Sequence, residues 1–273
     1  MKVCVIQPYY SANFEDLDKS FNLLNSLLDE CPNNVDVIVL PEYSDVLAVT
    51  PDEKTFISVI EKNSPIIDKK VRETAIRCNA TVFANYGYKT ENGYRNTTHV
   101  INNKGQTVGR YFKMHPAPSE IKNVGIDTEY SKGKQSIYTV NVDGLKYAFR
   151  TCYDFYFYED IIEIARQKPD IIIGCSYQRT DTHSSLEIIN RFLCYNTNAY
   201  LVRSSISLGE NSEVCGSSMV VAPNGEILLN MKNEVGLAVV DIDPTKKYYK
   251  ASGFGGKLKS HPEYVDEGRF IKE

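Results

Sequence analysis

The chain has no hydrophobic run approaching the roughly 20 residues needed to cross a bilayer, which argues against a spanning segment. It has no Cys-x-x-Cys pair. Its seven cysteines are odd in number and irregularly spaced, so neither a disulfide framework nor a zinc site is expected. It has no basic cluster either. Lysines and arginines are scattered, the net charge is −4 and the pI is about 5.7, which excludes a nucleic-acid or membrane-surface footprint and leaves a small molecule as the expected partner. An export signal is also missing. The apolar start Met1-Lys2-Val3-Cys4-Val5-Ile6 breaks at Gln7-Pro8 and reads as a first strand, so a reducing, cytoplasmic setting is expected, with most cysteines acting as small buried hydrophobes.

What is present is an ordinary globular balance, 42% hydrophobic and 24% charged over 273 residues. Apolar residues at Phe14, Leu17, Phe21, Leu24 and Leu28 predict a helix over 13–29, closed by Cys31-Pro32. Residues 35–40 form a nearly continuous apolar run, the pattern of a strand buried on both faces. A long helix is expected over 51–78, interrupted at Ser64-Pro65, then a strand over 81–88. Residues 97–101 and 107–112 flank a turn and predict a hairpin, and 114–134 reads as a surface loop.

The second half repeats part of the first. A hairpin over 135–142 and 145–151 precedes a helix at 159–167, a strand at 169–174, a helix at 185–197 and a strand at 200–205. Strands at 216–221, 226–229 and 237–242 follow. Two similar halves predict two facing sheets with helices outside, a four-layer α-β-β-α sandwich forming one α/β domain over 1–273, with an irregular tail from about Tyr248.

Sites in α/β sheets gather beyond the carboxyl ends of strands. Three reactive residues fall at such ends: Glu42, Lys113 and Cys152. A thiol can act as nucleophile, a nearby cation can lower its pKa, and a carboxylate can shuttle the proton, together a sufficient set for acyl transfer. On position alone each residue could equally be a boundary or core residue. Cys4, Cys175 and Cys194 fall in apolar patterns, and Cys31, Cys78 and Cys215 lie near element ends without a polar pattern around them. His99, His183 and His261 have no motif around them, which disfavours a Cys–His pair.

Over nearly its whole length the chain resembles the nitrilase (carbon–nitrogen hydrolase) superfamily. Leu40-Pro41-Glu42 is similar to the segment bearing the general base, Tyr111-Phe112-Lys113-Met114-His115 to the Lys-x-His segment, and Thr151-Cys152-Tyr153-Asp154 to the nucleophile segment. Gly216-Ser217-Ser218 and Pro223-Asn224-Gly225-Glu226 resemble the late hairpin. The resemblance implies a Glu42–Lys113–Cys152 triad and a thioester intermediate, with no metal or organic cofactor. It also implies substrate-contacting roles for Glu120, seven residues after Lys113, and for Tyr153. His115 is expected to support its loop. Tyr43, Tyr153, Tyr156 and Tyr177 would line a narrow pocket, with Arg179 available to a substrate carboxylate or else to solvent.

The family pattern usually continues Cys-Tyr-Asp-x-Arg-Phe-Pro-Glu. Here Tyr156 stands at the arginine and Tyr158 at the proline, and Asn196 falls near a position often held by glutamate. Tyr153-Asp154 after the nucleophile, and the lack of any tryptophan, point to the amidase branch over true nitrilases. A small linear amide or N-carbamoyl amine is the substrate class so implied. Family members commonly pair as homodimers through helices flanking the nucleophile, and Ile161, Ile162, Ile164 and Ala165 offer an apolar face there or toward the sheet. A non-hydrolytic scaffold binding a metabolite or partner, and a thiol sensor, remain alternatives.

Overall fold

The computed structural model describes residues 1–123, 125–133 and 135–270. Strands β1 (Lys2–Gln7), β2 (Val37–Val39), β3 (Thr81–Thr90), β4 (Gly93–Ile101) and β5 (Thr107–Phe112) form most of one sheet. Strands β6 (Thr139–Val142), β7 (Leu145–Thr151), β8 (Ile171–Cys175), β9 (Tyr200–Ser204), β10 (Met219–Val221) and β11 (Ile227–Asn230) form the second. Strand β12 (Gly236–Asp241) returns to the first, antiparallel to β1. The orders are β12-β1-β2-β3-β4-β5 and β6-β7-β8-β9-β10-β11. In each sheet three parallel strands are flanked by antiparallel ones, so the loose internal repeat corresponds to two sheets of the same strand pattern, differing in that the first takes its edge strand β12 from late in the chain.

Period-two alternation builds the layers. Val3, Val5, Val37, Val39 and Phe83 face Tyr147, Phe149, Ile171, Ile173 and Val202 across the space between the sheets. Their alternates Cys4, Ile6, Ile38, Val82 and Ala84 pack against helices α1 (Leu17–Glu30) and α2 (Glu53–Cys78). On the far side Ala148, Ile172, Leu201 and Met219 pack against α4 (Glu159–Gln167) and α5 (His183–Thr197), while α3 (Pro118–Asn123) lies apart from these layers. The result is the four-layer α-β-β-α sandwich. Each fully buried aliphatic or aromatic side chain in it contributes about 1.5–3 kcal/mol.

Four expectations need correction. Helix α2 is unbroken at Pro65, because Asn63 and Ser64 anchor it to Asp45 and apolar residues on both sides of the proline are buried. The expected loop over 114–134 contains α3, entered at Pro118 and steadied by the Glu120 carboxylate accepting from the Ala117 N–H at 2.6 Å; its residues 124 and 134 lie outside the described residues. The tail holds a two-residue pairing, β13 (Lys250–Ala251) with β14 (Leu258–Lys259), and helix α6 (His261–Phe270). Beyond residue 270 the tail lies outside the described residues. The helix expected from residue 13 begins with a 3₁₀ turn at Phe14–Asp16. No helix among the described residues is long and apolar enough to cross a membrane.

Candidate active site

Glu42 follows β2, Lys113 follows β5 and Cys152 follows β7, and all three line one cavity of about 640 Å³ between the sheets' carboxyl ends. The Lys113 ammonium donates to Glu42 Oε1 at 2.8 Å and to Glu120 Oε2 at 2.5 Å. Glu42, Lys113 and Glu120 are all buried. Asn96, on β4, donates from Nδ2 to Glu42 Oε1 at 2.7 Å and Glu120 Oε1 at 2.8 Å, and the Tyr43 hydroxyl donates to the same Glu120 oxygen at 2.7 Å. Asn96 is itself held by Asn85 on β3, whose Oδ1 accepts from the Tyr43 N–H. Two strands of sheet therefore fix both carboxylates before any ligand arrives.

The turn that carries Cys152 is a 3₁₀ segment, Cys152–Tyr156, held by Asp154. That buried carboxylate accepts from the Thr151 N–H and the Tyr111 hydroxyl, and from the His115 N–H. Cys152 sits at φ 47° and Tyr43 at φ 50°, left-handed conformations that cost a side-chain-bearing residue about 1–2 kcal/mol and persist because these bonds over-determine them.

The electrostatics follow from two carboxylates sharing one ammonium in a desolvated space. Burial pushes the Glu42 carboxyl above its ordinary range, with Lys113 only partly offsetting this. Burial acts against the Lys113 charge, yet Glu120 and Glu42 outweigh it and hold the ammonium well above its usual value. Burial also pushes Glu120 up, but Lys113, the Ala117 N–H and Asn96 hold it low, so it stays ionised. Burial and then Glu42 drive the Cys152 thiol well above its usual value, against a smaller pull from Lys113. The cation's pull is thus outweighed, and the net shift of this thiol is upward, opposite to what the sequence suggested. The resting sulfur keeps its proton, so it would need a base to become nucleophilic.

Of the other expected contacts, Glu120, Tyr43, Tyr153, Tyr156, Tyr177 and Arg179 all line the cavity. His115 pairs with Asp160 at 2.8 Å and stacks on Phe157, supporting the Cys152 turn from outside. All seven cysteines are free, and Cys152 alone is not fully buried. No group of three or more His, Cys, Asp or Glu side chains among the described residues is arranged to hold a metal ion. Sequence reasoning passed over Asn85, Asn96 and Arg150. Their signal was a polar side chain within an otherwise buried strand.

Residues 2–248 match the carbon–nitrogen hydrolase family as a whole. The chain belongs to that family. Among solved structures, an amidase from Nesterenkonia sp. is 16% identical, with 99% of this chain and 96% of that one covered at a TM-score of 0.70. A mutant of the Nesterenkonia sp. AN1 amidase, 15% identical over 99% of both chains at a TM-score of 0.71, carries acrylamide added to its active-site cysteine. XC1258 from Xanthomonas campestris, a CN-hydrolase superfamily protein with an arsenic adduct in its active site, is 15% identical, covering 89% of this chain and 90% of that one at 0.69. At these identities the likeness is one of fold. No curated protein matches the chain.

Against the carbon–nitrogen hydrolase pattern, the departures find other uses. The guanidinium that supports the Cys152 turn comes from Arg150 on β7, which pairs with Asp160 at 2.8 Å and reaches the Phe157 carbonyl. Tyr156, at the usual arginine position, turns instead to the cavity wall and donates to Asp181. Tyr158 is 73% exposed beside α4. Asn196 donates within its own helix, to the Phe192 carbonyl.

Proposed function

We propose that this carbon–nitrogen hydrolase cleaves small linear amides or N-carbamoyl amines through a Cys152 thioester. The observation that supports this most is the gathering of Cys152, Glu42, Lys113 and Glu120 around one cavity, with the lysine bonded to both carboxylates. Glu42 takes the thiol proton as sulfur bonds to the amide carbon. The raised affinity of Glu42 for a proton suits a group that must accept one and return it. The tetrahedral oxyanion faces the Lys113 ammonium and the backbone N–H of Tyr153. As the C–N bond breaks, Glu42 protonates the departing nitrogen. Water then loses a proton to Glu42 and attacks the thioester carbon, and the C–S bond breaks to release the acid and regenerate the thiol. Glu120 holds Lys113 from the opposite side, and Tyr153 and Tyr177 form substrate walls.

The decisive experiment measures ammonia release from a panel of small amides, ureido compounds and nitriles. The wild type should turn over at least one amide or ureido compound, with an acyl mass trapped on the Cys152 peptide. Cys152→Ala should abolish turnover while keeping the far-UV spectrum and thermal transition. Turnover that survives the substitution, or an acyl group on another residue, would refute the assignment. We further propose that two copies pair through the apolar surface of α4 and α5.

A further inference from the structure

We infer that Arg179 is an anion-binding residue and that the substrate carries a carboxylate at the end remote from its scissile C–N bond; the inference rests on the hydrolytic reading above. Arg179 lines the same cavity as Cys152. Its guanidinium lies over the Tyr177 ring, 4.9 Å from the centroid, and 5.8 Å from that of Tyr10, two rings packed edge to face at 4.8 Å. An arginine held over aromatic faces is restrained while its N–H edge stays free. Among the described residues that edge meets no hydrogen-bond acceptor and no carboxylate.

The nearby acids are committed elsewhere. Asp181, two residues on, accepts from the Tyr156 hydroxyl and from Gln178 Nε2. Asp52, at the cavity rim, caps α2 by accepting from the Thr55 N–H at 2.7 Å. Glu42 and Glu120 are tied to Lys113 and Asn96. The base of the arginine is fixed too. Gln178 Oε1 accepts from Ser176 Oγ at 2.9 Å and from the buried Arg203 guanidinium at 3.4 Å. Arg179, an exposed residue, is thus a cation held over two rings with no acidic or hydrogen-bonding partner among the described residues, in a cavity lined by Tyr10, Tyr177 and the triad.

Charge also sets which end of the substrate it takes. Around Cys152 two carboxylates face one ammonium, so a substrate carboxylate is repelled there and tolerated only toward Arg179. An amide and an acid joined by a short chain satisfies both ends, with the planar guanidinium receiving the carboxylate in two parallel bonds.

The test compares kcat/KM for short ω-carboxylated primary amides with that for alkyl amides of the same chain length ending in methyl. The wild type should favour the acids by roughly ten- to a hundredfold. In Arg179→Gln that ratio should fall toward one, mainly through KM for the acids, and Arg179→Lys should restore part of it. A wild-type ratio near one, or one that Arg179→Gln leaves in place, overturns the inference while the hydrolytic reading stands. Calorimetric titration of Cys152→Ala separates the reverse case. If no amide is turned over, yet the acids bind Cys152→Ala and that binding is lost in the Cys152→Ala, Arg179→Gln double variant, the anion site stands and hydrolysis fails. Equal binding to both variants removes the anion site.

Discussion

At the scale of single residues, the thiol's proton is the point on which reactivity turns. A thiol beside a lysine would ordinarily be activated, but here Glu42 and Glu120 stand around the same ammonium and burial outweighs its field. Glu42→Gln therefore has two effects of opposite appearance. Turnover should fall about 10²- to 10⁴-fold, because no group remains to move the proton. The Cys152 thiol pKa should nevertheless drop, because the carboxylate that raises it has gone while Lys113 remains. Iodoacetamide alkylation followed against pH reads the second effect directly, with the variant's curve displaced toward lower pH. A curve displaced upward, or unmoved, contradicts this electrostatic account. In the wild type, kcat/KM should fall on acidification through a pKa above that of an ordinary glutamate, since Glu42 must be ionised to accept the proton and burial raises its pKa.

That Glu42, Lys113 and Cys152 belong together was legible in the sequence because short motifs stood at strand ends, and the structure gathers the three around one cavity. Their surroundings were not. Asn85 and Asn96 lie at alternate positions of β3 and β4 and become neighbours only through strand pairing, in which Asn85 stands opposite Thr98 and Gly87 opposite Asn96. No local pattern records that register. The sign of the Cys152 shift was hidden for a related reason, since it depends on burial and on three charges brought together from distant segments.

At the scale of elements, periodicity carried most of the fold. Strand β7 and helix α4 fall where the pattern places them, because alternation and 3.6-residue spacing there agree with turn and cap signals. The proline in α2 misled for a physical reason. Loss of one N–H bond is outweighed when the helix is pinned from both sides, and Ser64, next to the proline, donates to Asp45 Oδ2 at 2.6 Å. Asp45 joins three elements. Its Oδ2 also accepts from the Gly87 N–H in β3 at 2.9 Å, and its carbonyl accepts from Asn63, while Oδ1 has no hydrogen-bond partner among the described residues. Burial raises its pKa from 3.8 to about 6.

The folded state therefore binds this proton more tightly than the unfolded chain. The stabilisation from protonated Asp45 is fully present below pH 3.8 and is lost as pH rises through about 6. At neutral pH the buried charge costs about 1–3 kcal/mol. Asp45→Asn keeps an acceptor for Ser64 and Gly87 while removing the buried charge. We expect this variant to unfold at higher temperature than the wild type at pH 7–8, with the gap closing as pH falls toward 4. A lower transition temperature at neutral pH would show that the carboxylate's two hydrogen bonds outweigh its desolvation.

At the scale of the whole molecule, the two sheets bury one face against each other and the other beneath helices, which leaves the outer surface of α4 and α5 to account for. Tyr158, Ile188 and Phe192 are 73%, 69% and 52% exposed there, and Ile162 lies beside them. These residues line two adjoining apolar hollows, one of them bounded also by Pro262 and Val265 of α6. Isolated apolar side chains on a surface need no explanation, but a contiguous group does. The patch lies directly behind the nucleophile turn, since Phe155, Tyr156 and Phe157 line the same hollow. Covering it would stiffen the turn that holds Cys152. Light scattering should therefore report a mass near twice 30.9 kDa for the wild type. Ile188→Asp combined with Phe192→Asp, both exposed and outside the cavity that holds Cys152, should shift that mass toward the monomer. If pairing steadies the turn, kcat should fall in parallel with the loss of dimer and recover as protein concentration rises. A wild-type monomer at micromolar concentration would remove the pairing, whereas a dimer unaffected by the double substitution would move it to another face.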